Sequence, residues 1–185
     1  MDETREARVE RFRVLFEANH GPVRAYAGRR CGRSEDAEDV VSETFAVAWR
    51  RLNDVPAEAS LPWLYGVARK VLANQRRGQR RWLGLVERIR QQPQDVSTPE
   101  SDGPPVVDAL RTLRPDDQEV LRLAAWEGLS HSEIGSALGI STNAATIRIH
   151  RARKRLGEAL ANGPGGMRND VATAGQGSKQ EEIRP

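Results

Sequence analysis

The sequence predicts an all-α fold. Two small helical domains, at residues 6–82 and 106–161, are joined by a flexible linker over 83–105 and followed by a disordered tail over 162–185. Three observations predict it. Apolar residues recur at helical spacing behind good capping residues through both blocks. The stretch GLSHSEIGSALGISTNAATIRIHRARKRL, Gly128 to Leu156, reads as two helices joined by a tight turn. Between the blocks, GLVERIRQQPQDVSTPESDGPP reads as a linker after a short helical remnant: it is polar and ends in prolines and glycine, too long a loop for one compact domain.

Taken in order, the first helix runs from about Glu6 to Ala18, with Val9, Phe12, Leu15 and Phe16 on one side. Asn19 to Pro22 is expected to break it, because Pro22 suits the first turn of a following helix and not the interior of a preceding one. Val23, Tyr26 and Ala27 then carry an apolar face toward Cys31. Ser34 is expected to cap the next helix, EDAEDVVSETFAVAWRRL, with Ala37, Val40 or Val41, Thr44, Ala48 and Leu52 as its buried stripe. Glu35, Asp36, Glu38 and Asp39 open this helix and Arg50 and Arg51 close it, as the helix dipole favours. With Glu43 these acids also form a surface suited to a basic partner.

Asn53 to Ser60, NDVPAEAS, is a loop. Ser60 is expected to cap a helix from Leu61 to about Arg77, with Pro62 in its first turn and Leu64, Val67, Ala68, Val71 and Leu72 facing the core. The other faces carry Trp63, Tyr65, Arg69, Lys70, Asn74, Gln75, Arg76 and Arg77, Arg80 and Arg81 follow, and no acid occurs between Ser60 and Val86. Rings interleaved with cations fit single-stranded nucleic acid, where cations track the backbone and rings stack on bases. Either ring is equally suited to the core.

Beyond the linker, Val106 to Leu113 is a short helix. Pro115 starts another through Val120, Leu121, Leu123, Ala124 and Trp126, ended by Gly128. Ser130 caps the next, and Glu133 three residues on completes a capping box. Ile134, Ala137 and Leu138 share its inner face; Gly139 supplies the positive φ that ends it, and Ile140 folds back against it. Ser141 caps the last helix, from about Thr142 to Ala159, whose buried stripe is Ala145, Ile149, Ala152 and Leu156. Thr142, Asn143, Thr146, Arg148, His150, Arg151, Arg153, Lys154 and Arg155 lie mostly off that stripe, and Thr142 to Arg155 contains no acid. A merely solvated face mixes signs; one sign costs self-repulsion unless phosphate neutralises it. The pattern is that of a helix-turn-helix whose second helix enters the major groove.

The chain has 185 residues, a net charge of +3 and positive charge that is almost all arginine, with lysine at Lys70, Lys154 and Lys179. Cys31 is the sole cysteine, which excludes an intramolecular disulfide and a cysteine-cluster zinc site. His20, His131 and His150 are scattered, so no metal or cofactor is expected. The charged N-terminus is unlike a signal peptide and no run is apolar enough to span a membrane, which points to the cytoplasm. No paired carboxylates, nucleophile-and-base pair or phosphate loop suggest an enzyme.

In this order the parts resemble a bacterial RNA polymerase sigma factor of the small extracytoplasmic-function group, within the sigma-70 family. DAEDVVSETFAVAWRR is similar to the family's region 2.2, SLPWLYGVARKVLANQRR to regions 2.3 and 2.4, and LRPDDQEVLRLAAWEGLSHSEIGSALGISTNAATIRIHRARKRL to regions 4.1 and 4.2. The resemblance covers about Phe12 to Leu160 and implies region 2 over 6–82 and region 4 over 106–161. It implies that Asp36, Glu38, Asp39 and Glu43 face the clamp helices of the largest polymerase subunit. It implies that the loop starting at Asn53 and Asp54 captures a flipped-out base of the −10 element. Trp63, Arg69, Lys70, Asn74, Arg76 and Arg77 would hold the non-template strand and the upstream duplex. Thr142, Asn143, Thr146, Ile147 and Arg148 would read bases of the −35 element, and His150, Arg151, Arg153 and Lys154 would hold its phosphates. The implied partners are core RNA polymerase, promoter DNA in double- and single-stranded form, and an anti-sigma factor.

NAATIRIHRAR departs from the family's common GTVKSRLHRAR, so Thr146 and Ile147 stand where a lysine and a serine are usual. That removes a cation and adds an apolar group able to meet a thymine methyl. Elements about 20 base pairs apart lie roughly 60–70 Å apart, and a linker of about 24 residues reaches at most roughly 80 Å. Asp95, Glu100 and Asp102 would let the linker lie in a basic channel. A stand-alone helix-turn-helix regulator is the alternative; it explains residues 106–160 and leaves the acidic helix and the Trp63–Arg81 segment without a purpose.

Overall fold

The computed structural model describes residues 4–90 and 104–162, with the backbone alone for residues 80 and 82–90. All regular structure among the described residues is helical. Helices α1 (Arg5–Gly28), α2 (Ser34–Arg50) and α3 (Ser60–Arg90) form the N-terminal half. Helices α4 (Pro105–Thr112), α5 (Pro115–Ala125), α6 (His131–Leu138) and α7 (Thr142–Asn162) form the C-terminal half. Two short 3-10 turns, Leu52–Asp54 and Ala57–Ala59, shape the α2–α3 loop. The acids Asp95, Glu100 and Asp102, and residues 163–185 of the expected tail, lie outside the described residues.

Four local expectations are corrected. Pro22 does not break the first helix; α1 runs through it. The preceding residue is Gly21, which lacks the Cβ that a following proline ring pushes out of the helical region. Ser34 is the first helical residue of α2 and Arg33 occupies the cap position, with no side-chain cap bond. Ser60 is likewise the first helical residue of α3 and not a residue ahead of it. Finally, α3 runs unbroken past Arg77 to Arg90, so the short helical remnant expected at the start of the linker is the end of this helix, and residues 83–90 are helical. That shortens the tether. Residues 91–104 span at most roughly 50 Å when fully extended, and helical 83–90 adds about 12 Å.

The stripes read from periodicity on α2, α3 and α7 form the core, whereas on α1 Val9 and Phe16 stay exposed and Phe12 and Leu15 are partly buried. Val40, Val41, Thr44, Phe45 and Ala48 of α2 pack with Leu64, Val67, Ala68, Val71 and Leu72 of α3 and with Val23, Tyr26 and Ala27 of α1. Thr44 satisfies its buried hydroxyl by donating to the Val40 carbonyl at 2.6 Å. In the C-terminal half Leu110, Val120, Leu123, Ile134, Ala145, Ile149 and Ala152 are buried together.

The two halves are not held apart. Their buried residues form one continuous core, and α3 packs on α6. A Cβ built on Gly66 would lie 2.8 Å from the Ala137 carbonyl oxygen, so the helices meet this closely only because position 66 has no side chain.

Candidate polymerase- and DNA-binding surfaces

The helix-turn-helix is built as its caps dictate. The Ser130 hydroxyl accepts from the Glu133 amide at 3.3 Å, and the Glu133 carboxylate accepts from the Ser130 amide at 2.8 Å. The Ser130 hydroxyl also donates to the Glu133 carboxylate at 2.6 Å, and this bond, with that from the Ser130 amide, holds the Glu133 carboxyl below the usual carboxylate range. Gly139 adopts φ 68° and the Ile140 amide closes back on the Gly135 carbonyl at 2.9 Å. Gly135 is required here too, since a Cβ on it would sit 2.9 Å from the Ile140 carbonyl oxygen. Ser141 accepts from the Ala144 amide at 3.2 Å and starts α7.

Helix α7 buries Ala145, Ile149 and Ala152 and turns the rest outward. Thr142, Asn143, Thr146, Ile147, His150, Arg151, Arg153 and Lys154 are exposed. Thr146 donates to the Thr142 carbonyl at 3.0 Å, and its hydroxyl also meets His131 Nδ1 at 3.0 Å, which ties the reading face to α6. Arg148 is half-buried in a cavity of about 400 Å³ lined by Arg114, Asp116, Asp117 and Arg155. Behind that face, Arg155 donates to the buried Asp117 at 2.7 Å and fixes α7 to the start of α5.

The N-terminal half places its candidates around one groove. A cavity of about 750 Å³ runs between α2 and α3, with Asp39, Glu43 and Arg51 on one side and Lys70, Asn74 and Gln75 on the other. Asp36 is half-buried and Glu38, Asp39 and Glu43 are exposed. Glu38 accepts from Arg24 at 2.7 Å and Glu43 from Arg50 at 2.9 Å, both on the surface. Arg77 donates to Asn74. Trp63 is half-buried with the Arg51 guanidinium 5.7 Å above its ring. Tyr65 is core instead, 3% exposed and stacked on Tyr26 with centroids 4.8 Å apart.

The α2–α3 loop backs onto α1. Asn53 accepts from Arg11 at 2.6 Å and Asp54 from Arg51 at 2.8 Å. Together Arg11, Val14, Leu15, Ala18 and Asn19 of α1 and Leu52, Val55, Pro56, Ala57 and Ser60 enclose a cavity of about 300 Å³. Sequence reasoning missed Arg11, since nothing local links it to a loop 42 residues away.

Arg69 and Arg76 are not on the open groove. They line a cavity of about 390 Å³ against Asp116, Glu119 and Arg122 of the α5 segment. The Arg69 Nε is buried with no hydrogen-bond partner, and Arg76 donates to the Arg30 carbonyl at 3.1 Å.

Comparison with known proteins settles what these surfaces belong to. The family model for sigma-70 region 2 matches residues 15–82, and that for sigma-70 region 4 matches residues 105–156. The RNA polymerase sigma factor CarQ of Myxococcus xanthus is 33% identical over 171 residues, covering 86% of this chain and 95% of CarQ. The chain belongs to the sigma-70 family, in its extracytoplasmic-function group. The extracytoplasmic-function sigma factor SigE of Mycolicibacterium smegmatis is 32% identical over 143 residues, 73% of this chain and 56% of SigE. Among solved structures, the sigma factor RpoE of Bartonella quintana, in complex with the anti-sigma factor NepR, shares the fold at 23% identity. Its TM-score is 0.55 over 82% of this chain and 97% of that one.

As a sigma factor the chain directs promoter-specific initiation, binding core RNA polymerase and promoter DNA. Sigma factors are non-enzymatic initiation factors. Both matched regions are needed to account for it, and the stand-alone regulator accounts for one. No helix among the described residues is long and apolar enough to cross a membrane.

Proposed function

We propose that the N-terminal domain, residues 6–82, docks on polymerase through Asp36, Glu38, Asp39 and Glu43 of α2 and holds the −10 element along α3. Residues 106–161 read the −35 element. The observation that carries this is the α2–α3 groove. Its acids face solvent beside Lys70 and Asn74, so one small body offers an anionic wall to a protein and a cationic wall to DNA. Asn53, Asp54, Trp63, Arg69, Lys70, Asn74, Arg76 and Arg77 engage the melted strand and the upstream duplex. The cavity behind the loop, with Arg11 fixing Asn53, receives one unstacked base. On α7, Thr142, Asn143, Thr146, Ile147 and Arg148 meet base edges and His150, Arg151, Arg153 and Lys154 meet phosphates. The chain works in the cytoplasm without enzymatic activity of its own, and an anti-sigma protein restrains it, as NepR accompanies RpoE.

The test is run-off transcription on genomic fragments with purified core polymerase, wild type against the Asp36→Lys, Asp39→Lys double variant. Wild type is expected to start transcripts at discrete sites, and the variant to lose both initiation and co-purification with core. A variant that still co-purifies rejects the docking surface.

A further inference from the structure

Two exposed side chains meet across the turn of the helix-turn-helix. The capping box of Ser130 and Glu133 fixes the first turn of α6, where His131 stands. A Cβ on Gly135 would lie 3.4 Å from the Thr142 amide nitrogen, so the start of α7 is pressed against α6. Within this frame the Thr146 hydroxyl lies 3.0 Å from the Thr142 carbonyl and 3.0 Å from His131 Nδ1. Nε2 of the same ring meets no other group among the described residues. The side chains around Thr146 on this stretch of α7, Thr142, Asn143 and Ile147, carry no charge. Discrimination there depends on hydrogen-bond polarity and shape, while attraction to phosphate begins further along the helix.

A threonine hydroxyl has one proton to give. A carbonyl only accepts, so that proton goes to Thr142, and the bond with the ring is donated by His131 Nδ1–H. Were the proton turned to Nδ1 instead, it would still be held inside the protein. Either way Thr146 keeps a lone pair and no proton for DNA. In the major groove an acceptor meets the amino groups of adenine and cytosine and is repelled by the keto oxygens of guanine and thymine. The lysine usual at this position has donors only and meets the keto edge instead. We propose that His131 is a specificity-determining residue of the −35 reader: by holding the Thr146 hydroxyl as an acceptor, it makes α7 select an amino base on the strand that Thr146 meets. This rests on Thr146 lying at a base edge, as assigned to α7 above.

The bond does little for the fold. Both partners are exposed, and a hydrogen bond that replaces two bonds to water adds little net stability. What it sets is direction. Threonine on a helix divides between two rotamers, because Oγ1 can bond a carbonyl of the preceding turn. A second partner on α6 selects the rotamer that satisfies both, and the γ-methyl is fixed with it. His131 is thus a positioning residue, acting on the base through Thr146.

The test uses holoenzyme assembled from core polymerase and the full-length chain. Run-off transcription on genomic fragments supplies a promoter, and the probe is a duplex library of that promoter randomised through its −35 element. Wild type is compared with His131→Ala, His131→Asn, Thr146→Val and the His131→Ala, Thr146→Val double variant, and sequencing of the bound duplexes gives the base preference at each position. Wild type is expected to favour adenine or cytosine at one position of one strand by about fivefold, the worth of one hydrogen bond. His131→Ala and Thr146→Val are each expected to level that preference and no other, and the double variant to add nothing further. His131→Asn, whose amide donates from nearly the place of Nδ1, is expected to retain it. Thermal midpoints and binding to core are expected to match wild type, which excludes a folding defect. A keto preference at the position that Thr146→Val levels, a loss spread over all positions, additive effects in the double variant, or His131→Asn behaving as His131→Ala each overturns the proposal. If Thr146→Val alters one position and His131→Ala none, the base contact stands and the positioning role falls. If Thr146→Val alters none, or wild type starts no transcript, the assignment of α7 fails and the positioning role with it.

Discussion

Arginine does opposite work in two regions of this sigma factor. In the seam between the halves, Arg30 is enclosed by two glutamates, a carbonyl and an aromatic ring. On α7, Arg151 and Arg153 point into solvent, and among the described residues no acid pairs with either. The same side chain is thus a clamp where acids surround it and, under the proposed function, a phosphate ligand where they are absent. Its environment is decided by long-range packing in the first case and by local helix register in the second. Burial pushes against the charge of Arg30, yet Tyr26 and the glutamates outweigh it and leave its pKa above the ordinary value. Arg122, at the edge of the same seam, shows the reverse balance: burial, and then repulsion from Arg30, holds its pKa below the ordinary value.

The contrast breaks most decisively at Arg30. Arg30→Ala leaves Glu127, 1% exposed in its side chain, with Arg29 at the rim as its remaining countercharge, and is expected to cost the folded state roughly 3 kcal/mol. Arg151→Ala is expected to change stability by less than about 0.5 kcal/mol, as an exposed unpaired side chain. Urea unfolding followed by circular dichroism separates them. Equal midpoints for the two variants would erase the distinction.

Alkali attacks the seam by a second route. Burial, and after it the nearby Glu127 carboxylate, pushes the Tyr65 phenol up to about 12, and Tyr26 is raised further by burial and Glu119. A phenol raised in the folded state favours folding below its unfolded pKa of about 10. That contribution is lost as pH climbs from 10 through 12, and for Tyr65 it amounts to roughly 2–3 kcal/mol. Both tyrosines of the chain sit in this stack, so absorbance at the tyrosinate band reports on the seam alone. Ionisation near pH 10 in the intact chain would mean that the stack is open to water.

Much of the structure is local and therefore legible from residues. Ser130, Glu133 and Gly139 fix the turn before α7, and the spacing of Ala145, Ile149 and Ala152 fixes which way α7 faces. The α3 core face follows from the same period, and its acid-free outer face from composition. What periodicity cannot show is which apolar or charged group meets which across the chain. Tyr65 has a ring and a hydroxyl, and its place in the core depends on Tyr26, 39 positions earlier. Arg30 carries no sequence signal at all, because its partners Glu119 and Glu127 are 89 and 97 residues away. Pro22 misleads for the opposite reason: the rule was local, and the exception, Gly21 before it, was local too.

Within α7 the contrast becomes finer. Arg148 is half-buried beside Asp116 and Asp117, whereas Arg153 is free of both. Arg148→Ala is expected to cost roughly 1–3 kcal/mol of discrimination among −35 sequences. An equal loss on every sequence would move Arg148 to the phosphate group.

Arg153→Ala should do the smallest thing and the most diagnostic. Each phosphate neutralised by the protein releases condensed counterions, so affinity falls with salt at a slope set by the number of contacts. Removing one phosphate contact is expected to lower that slope by about one, uniformly across promoter sequences, and to leave the melting temperature unchanged. The measurement is holoenzyme binding to two −35 sequences over a salt series. Exposure alone does not guarantee the outcome, because Lys154, the neighbouring cation, already has Glu158 at 3.9 Å. If Arg153→Ala changes stability and not the salt slope, then an exposed arginine here supports the fold, and what separates α7 from the seam is burial and no longer purpose.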